Sequence, residues 1–350
     1  VRAPPDRART AGLSTRGALL RRYFARKLLI YALTFVVAVT VNWMIPRFMP
    51  GDPVSAMVAR ARVSQPEAAE AMRSYYNNLF GFDEPLWQQY LHFWGALVRG
   101  DFGISIFVFP TPVGDVLLDA LPYTLGLMIP AVLLSWFVGN WIGALSARRK
   151  VLDNTVLPAG YLLTAMPYMW IAVILAWALG AKAGWFPISG GYSLDIQPGW
   201  SAAFVLDALH HWVLPFLSLF LVALGGWAIG MRNMIIYELE SDYASYLSAL
   251  GAPQRLIRRY AFRNAVLPQV TGLALQLGVL VAGALVTEIV FAYPGLGSLI
   301  LAAIQNQDFF LLQGAFLFIV IGVLIANFLI DVVYVVVDPR TRTGMAGGTS

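Results

Sequence analysis

The sequence predicts an all-α integral membrane protein with six transmembrane helices. Of its 350 residues, 59% are hydrophobic and 12% are charged, whereas an average soluble domain is only about 45–50% apolar. Several apolar runs exceed the ~20 residues that are needed to span a bilayer. Basic residues cluster beside these runs, as expected when charge sets the orientation of a chain in a membrane. The net charge of +5 therefore indicates a lipid bilayer and not nucleic acid.

The elements follow from the order of polar and apolar segments. Residues 1–22 are rich in Pro, Ala and Arg, and we expect them to form a disordered, basic cytoplasmic segment. Residues 23–46 hold the first span, at 24–45, which we interpret as a retained helix because no A-x-A-like cleavage site follows it at a suitable distance. A hydrophilic, extracytoplasmic region is predicted at 47–119, a transmembrane core at 120–338 and a cytoplasmic tail at 339–350. Within the core, spans are predicted at 120–147, 154–180, 212–237, 269–293 and 311–337.

The distribution of basic residues predicts the orientation of the chain. Six spans place both termini on the same side of the membrane. Most of the 24 Lys and Arg residues lie on that side, in the terminal segments and in the loops after the second and fourth spans. The positive-inside rule therefore predicts that both termini are cytoplasmic.

Several kinds of chemistry are absent from the sequence. There is no cysteine, which excludes disulfides, thiolate zinc sites and thiol nucleophiles. The histidines are His92, His210 and His211, and we expect no metal site. No phosphate-binding G-x-x-x-x-G-K-[ST] motif and no catalytic constellation occur. We therefore expect no catalytic residue and no cofactor in this chain, so that any ATP-driven motor has to be another chain.

One polar stretch, residues 241–268, separates two apolar runs and has the pattern helix, break, helix. Asp242 is a candidate cap for the first helix, and Pro253 suits the start of a second helix. Gly251 is a natural helix stop, for which we expect a left-handed backbone conformation. Four arginines follow, at positions 255, 258, 259 and 263. By itself, such a hairpin between two membrane helices is either a docking element or only a loop.

The residues of this stretch carry a resemblance to a known family. Asp242-Tyr243 and Gly251 are followed by Arg263-Asn264-Ala265-Val266-Leu267-Pro268. This pattern resembles the cytoplasmic coupling segment, the EAA loop, of ABC-importer permeases, and it is most similar to the oligopeptide/dipeptide (DppB/OppB-type) family. Tyr260 stands where that family often has a histidine. Pro50-Gly51-Asp52-Pro53, the Gly100–Ser105 segment and the closing Asp338-Pro339-Arg340 are similar to family motifs as well.

The resemblance implies a type I ABC importer transmembrane domain with a cytoplasmic coupling helix, in a bacterial inner (plasma) membrane. It implies four partners: a second permease subunit, two ATP-binding subunits that hold ATP and Mg, and an extracytoplasmic substrate-binding protein. It also implies alternating access, driven by closure of the ATPase pair against the hairpin. The candidate ATPase-coupling residues are Asp242, Tyr243, Ala249, Leu250, Gly251, Ala252, Pro253, Arg258, Arg263, Asn264 and Pro268.

Two acidic residues fall inside predicted spans, where an unpaired carboxylate costs several kcal/mol. Glu288 either braces a helix break at Pro294 or belongs to an outer gate. Asp331 shares a helix face with Asn327, and we interpret this pair as structural, forming a helix–helix hydrogen bond. The translocation or gate candidates are Glu288, Tyr293, Pro294, Gly295 and Gly297.

For the transported solute, the resemblance favours short peptides delivered by a binding protein. Oligosaccharides are the alternative, because the segments 42–47 and 230–234 and the frequent aromatic residues are similar to a branch that includes sugar importers. An ion-coupled carrier working alone is a third hypothesis of another class. It requires intramembrane ionisable groups and inverted repeats, and the sequence supplies two such groups and no visible repeat.

Overall fold

The computed structural model describes residues 7–62 and 65–337, and within these residues the chain is helical. One isolated bridge joins Ile104 and Pro112. The chain divides into two compact units, one formed by Pro46–Phe316 and the other by the described parts of Val1–Ile45 and Leu317–Ser350. The helices are α1 (Arg7–Met44), α2 (Pro53–Arg60), α3 (Pro66–Phe80), α4 (Leu86–Val98), α5 (Val113–Ser146), α6 (Lys150–Ala165), α7 (Tyr168–Leu175, continued by a π-helical segment Ala176–Lys182), α8 (Ala202–Leu239), α9 (Asp242–Ala249), α10 (Gln254–Val290), α11 (Leu296–Gln305) and α12 (Phe309–Val337).

Four helical segments of the described residues are long and apolar enough to cross a membrane: Ala25–Phe48, Val113–Ser146, Ala202–Leu239 and Phe309–Leu329. They contain most of the first, second, fourth and sixth predicted spans. The predicted fifth span falls almost entirely within α10, which is a single helix of 37 residues. Helix α1 begins at Arg7, inside the segment 1–22 that the sequence predicts to be disordered. The Ala, Leu and Arg residues of that segment are good helix formers. The tail 339–350 lies outside the described residues.

The third predicted span, residues 154–180, is broken and not continuous. α6 and α7 meet at 103°, and the break lies at Met166 and Pro167. Met166 has an extended backbone, with φ −86° and ψ 129°, which is the conformation that a following proline imposes. The pair counts as one further span only if the two helices cross the membrane together.

Close helix approach at glycines builds the core of the Pro46–Phe316 unit, in which α5, α6, α7 and α10 pack around α8. A Cβ atom on Gly143 would meet the carbonyl oxygen of Ala228 and would lie 3.0 Å from Cβ of Met231. On the other side of α8, a Cβ atom on Gly225 would lie 2.7 Å from the carbonyl oxygen of Gly160. Small residues of this kind let helix backbones approach in membranes, where apolar burial supplies little driving force.

The region that the sequence predicts to be extracytoplasmic is held together by polar contacts at helix ends. Asp52 caps α2 and accepts from the amides of Val54 and Ser55, both at 3.1 Å. Asp308, fully buried before α12, accepts from Ser105 Oγ at 2.6 Å and from the Phe107 amide at 2.8 Å. In the same region, the Gly103 amide donates to Asp101 Oδ1 at 2.9 Å and closes a turn at Gly100–Gly103.

The glycine contacts yield a matched pair of variants on α5. Gly143→Ala should destabilise the protein by about 1–3 kcal/mol, because the added methyl group forces α5 away from α8. Gly126→Ala is the control, since nothing lies within 4 Å of its added Cβ atom, and it should be neutral or slightly stabilising through helix propensity. The measurement is the thermal unfolding midpoint of the detergent-solubilised complex. Equal midpoints for the two variants would contradict the close approach of α5 and α8.

Candidate functional site

The polar stretch 241–268 folds as the predicted helix, break and helix. α9 ends at Ala249, and the chain turns through Leu250, Gly251, Ala252 and Pro253 into α10. The Gly251 amide donates to the Ser248 carbonyl at 3.0 Å, and the Ala252 amide donates to the Leu247 carbonyl at 3.0 Å. These bonds satisfy carbonyl groups at the end of α9 that the helix leaves free.

Gly251 has φ +75°, so the left-handed conformation predicted for it is confirmed. This region favours glycine because a side chain there costs roughly 1–2 kcal/mol. Nothing lies within 4 Å of a Cβ atom built on Gly251. Within this unit, only the backbone conformation therefore restricts the residue at this position.

The predicted cap of α9 is wrong by one residue. Ser241 occupies the cap position with an extended backbone, and Asp242 is the first residue of the helix. The Ser241 hydroxyl donates to the Glu238 carbonyl at 2.6 Å instead of capping α9. Asp242 is an exposed acid of the first turn, where its charge favours the helix through the macrodipole.

Glu238 joins the two arms of the hairpin to the preceding membrane helix. Its Oε2 atom accepts from the Tyr243 hydroxyl at 2.8 Å and from Asn264 Nδ2 at 3.0 Å. One carboxylate thus connects the ends of α8, α9 and α10, and we call these three residues the Glu238 junction. Burial, and next the hydrogen bond from its hydroxyl to Glu238, raise the pKa of Tyr243, so that its phenol remains a donor at neutral pH.

The sequence identified Tyr243 and Asn264 but missed Glu238. The only signal for Glu238 was an acidic residue at the end of an apolar run, five positions before Tyr243. Its second partner lies 26 residues away along the chain, so that no local pattern joins them.

The hairpin has an open, concave face between α9 and the start of α10. A hollow of about 540 Å³ lies there, and its wall is both polar and apolar. Arg258, Arg263 and Pro268 are exposed on α10, and Leu250 and Gly251 are exposed at the tip. The residues that line the hollow are Leu239, Ala244, Ser245, Ser248, Ala249, Gln254, Ile257 and Arg258.

At the other end of α10, Glu288 is fully buried against the turn that leads into α11. Its Oε2 atom accepts from the Gly297 amide at 2.6 Å. A Cβ atom on Gly295 would collide with the Glu288 carboxylate, and one on Gly297 would lie 2.6 Å from the Leu285 carbonyl oxygen. These contacts favour the interpretation of Glu288 as a brace of the break at Pro294.

This turn also contacts the loop between α7 and α8. The Gly190 amide donates to the Phe291 carbonyl at 2.8 Å, and a Cβ atom on Gly191 would lie 2.7 Å from the ring of Pro294. Tyr293 is buried, and its ring meets that of Tyr123 edge-on at 5.7 Å. The structure thus brings the gate candidates together with the loop between α7 and α8.

The second intramembrane acid lies in the other unit. Asp331 on α12 lies 2.8 Å from Lys27 Nζ on α1, and it accepts from the Tyr31 hydroxyl. The ring of Tyr31 also meets that of Phe328 edge-on. Asp331 therefore forms the kind of helix–helix contact that the sequence favours, with partners that the sequence did not name.

No group of three or more His, Cys, Asp or Glu side chains that could hold a metal ion occurs among the described residues. His211 is instead placed beside Asp207, with its Nδ1 atom 2.9 Å from the Asp207 carbonyl oxygen, and His210 contacts the Trp185 carbonyl oxygen. Each histidine of this adjacent pair thus contacts a different part of the loop and helix around it.

The chain is similar to known membrane transport proteins along almost its whole length. Residues 139–343 match the family described as the binding-protein-dependent transport system inner membrane component. The chain is 33% identical, over 339 residues, to the di/tripeptide transport system permease protein DppB of Pseudomonas aeruginosa (strain UCBPP-PA14), with 91% of this chain and 98% of that protein covered. It is 30% identical to the dipeptide transport system permease protein DppB of Escherichia coli (strain K12), with 92% and 98% covered. It is 29% identical to the oligopeptide transport system permease protein AppB of Bacillus subtilis (strain 168), with 91% and 98% covered.

The Glu238 junction predicts a difference between two tyrosines of α9. Tyr243→Phe removes a hydrogen bond to a carboxylate, a type of bond that is worth about 1.5–3 kcal/mol. Amide hydrogen exchange across residues 242–250 should therefore become faster. Tyr246→Phe is the control, because Tyr246 is exposed on the same helix, and it should leave the exchange unchanged. Equal exchange in both variants would show that the junction does not hold the hairpin.

Proposed function

Because the chain belongs to the family of binding-protein-dependent transport system inner membrane components, we propose that it forms half of the translocation pathway of an ATP-driven importer of short peptides. The observation that carries this proposal is the similarity over at least 91% of the chain to permeases whose names specify dipeptides, tripeptides or oligopeptides. The other half of the pathway belongs to a second permease subunit. An extracytoplasmic binding protein delivers the solute.

The energy for transport comes from two ATP-binding partner subunits, which hold ATP and Mg. The sequence of this chain contains no phosphate-binding lysine motif. The hairpin supports the proposal as the docking element, because its tip at Leu250, Gly251 and Ala252 is small and open. The other coupling candidates, from Asp242 to Pro268, lie on the two arms that this tip connects.

Six spans are the topology that this function favours. The bent pair α6 and α7 counts as one span, and α10 joins the four apolar segments as the sixth. The charge distribution favours a cytoplasmic location for both termini and for the hairpin. The extracytoplasmic region then comprises residues 47–119, and the transmembrane core comprises residues 120–338.

The outer turn supports a role in alternating access. It contains Tyr293, Pro294, Gly295 and Gly297, and it packs on Glu288 and on the loop at Gly190. Because α10 runs from the hairpin to this turn, one helix connects the proposed ATPase contact with the proposed outer gate. Asp331 acts structurally, in the contact between α12 and α1, and we assign a structural role to Asn327 because it shares a helix face with Asp331.

Neither of the two alternative functions, a stand-alone carrier or an oligosaccharide importer, is supported. A stand-alone, ion-coupled carrier does not agree with membership in a binding-protein-dependent family. Oligosaccharide transport finds no support in the names of the three relatives described above, which refer to dipeptides, tripeptides or oligopeptides.

Uptake competition tests the solute class. Di- to pentapeptides should inhibit uptake of a labelled dipeptide by cells that produce the complete transporter. Cello- and manno-oligosaccharides should have no effect at the same concentrations. Cells that lack this chain provide the control for other uptake routes. If the sugars alone bind the associated binding protein and are taken up, the proposed substrate class is wrong.

A second experiment tests coupling through the hairpin. Gly251→Asp adds left-handed strain of roughly 1–2 kcal/mol and a charge at the tip that meets the ATPase. We expect a complex that still assembles and still receives its solute, but whose ATP hydrolysis no longer responds to loaded binding protein. The measurement is substrate-stimulated ATPase activity of the reconstituted complex.

Gly100→Asp is the matched control for this variant. Gly100 has φ +72°, and nothing lies within 4 Å of its added Cβ atom, so that it shares both the strain and the open surroundings of Gly251. It lies in the predicted extracytoplasmic region, and stimulation should persist. Normal stimulation in Gly251→Asp would assign coupling to another element.

A further inference from the structure

The extracytoplasmic helix α4 has a side that neither the fold nor the proposed function explains. Trp87, Leu91, Trp94 and Val98 follow one another at spacings of four, three and four residues, which places them on one face of a helix. Trp87 is 62% exposed, Leu91 59% and Val98 83%. A continuous apolar stripe of this length is uncommon on a surface that faces water.

A polar stripe runs beside the apolar one. Gln88, His92 and Arg99 recur at spacings of four and seven residues; His92 and Arg99 are exposed, and Gln88 is partly exposed. His92 Nδ1 lies 2.9 Å from Glu84 Oε2, at the edge of this stripe. The exposed half of α4 is thus divided along its length into an apolar side and a polar side.

The third side of α4 packs on the protein. Gln89 is partly buried there, and its Nε2 atom donates to the Glu84 carbonyl at 2.8 Å. Gln89 Oε1 accepts from Arg47 Nη2 at 3.1 Å. Both residues belong to the Pro46–Phe316 unit, so that this contact fixes α4 within one compact body.

The contact with Arg47 also fixes the depth of α4 relative to a bilayer. Arg47 lies one residue before the end of the candidate span Ala25–Phe48. The end of a membrane span lies at the boundary between the acyl chains and water, where Trp and long basic side chains are favoured. The first turn of α4 is hydrogen-bonded to the chain at that level through Gln89, and this part of the helix therefore lies close to the membrane surface.

We propose that α4 is an interfacial helix, whose stripe of Trp87, Leu91 and Val98 enters the lipid leaflet around the C-terminal end of the first span. Gln88, His92 and Arg99 face water. Helices of this kind bury their apolar face about 5–10 Å into the boundary between headgroups and acyl chains. The division into apolar, polar and protein-facing sides fits a lipid surface, because a lipid leaflet covers only the apolar side and leaves the polar side wet.

The absence of cysteine from the sequence permits a direct test with single-cysteine variants. Val98→Cys and Gln88→Cys are each labelled with an environment-sensitive NBD fluorophore. Val98 is exposed and Gln88 is partly exposed on the same helix, so that both positions are open to the label. The assembled transporter is placed in nanodiscs of phosphatidylcholine, with or without phosphatidylcholine that carries a doxyl group near the ester end of its acyl chain.

We expect the label on Val98→Cys to emit at shorter wavelength than the label on Gln88→Cys, and to be quenched several-fold more by the doxyl lipid. Two results would overturn the proposal. Equal quenching at the two positions would mean that α4 is not oriented by the leaflet. A blue-shifted label on Val98→Cys that the doxyl lipid does not quench would mean that another protein chain, and not lipid, covers the stripe.

Discussion

The close approach of α8 to its neighbours is the constraint on which the Pro46–Phe316 unit depends. Lipid tails are as apolar as leucine, so that burial of apolar surface gives membrane helices little reason to associate, and tight packing has to supply the attraction. Trp227 shows how this is achieved. Its Cβ atom faces Gly139 of α5, and its ring lies 3.3 Å from a Cβ atom built on Gly272 of α10. One large side chain on α8 thus fills the space that two glycines leave open on two different helices.

Polar contacts hold the C-terminal part of α8, beyond this apolar packing. Arg232 on α8 binds Asp153 on α6 through two nitrogens, at 2.8 Å and 2.6 Å. Six residues further along α8, Glu238 holds Tyr243 and Asn264. Bidentate and charge-assisted hydrogen bonds have stricter geometry than apolar contacts. The end of α8 therefore fixes the position of both α6 and the hairpin, whose open tip is left for a partner.

The sequence predicted the features that depend on local composition. Apolar length was sufficient to place most of the spans, and the strong preference for glycine in left-handed turns was sufficient to predict the conformation of Gly251. The bend at Met166 and Pro167 was missed, because the apolar run 154–180 is long enough for one span and a proline inside a membrane helix is often tolerated. Ser241 and Asp242 are both good caps, and sequence alone does not decide between adjacent candidates.

Contacts between distant residues were the part of the site that could not be predicted. Asp308 and Ser105 are 203 positions apart, and Lys27 and Asp331 are 304 positions apart. Asp331 was visible in the sequence as a costly group in an apolar setting, whereas Asp308 was not singled out. The partners of both acids depend on how the helices are arranged. Glu288 shows the same limit: its cost was apparent, whereas its bond to Gly297 depends on a turn that folds back over the helix end.

Helix α10 is continuous and connects the contact at Glu238 with the contact at Glu288. At 1.5 Å per residue, its 37 residues extend about 55 Å, which is longer than the hydrocarbon core is thick. Asn264 binds Glu238 near one end, and Glu288 binds Gly297 near the other. Between them, Pro268 cannot donate an amide hydrogen to the Asn264 carbonyl, and its ring crowds that turn. Bending of α10 is therefore easiest beside the Glu238 junction, and the remainder of the helix, from Pro268 to the outer turn, is suited to move as one piece.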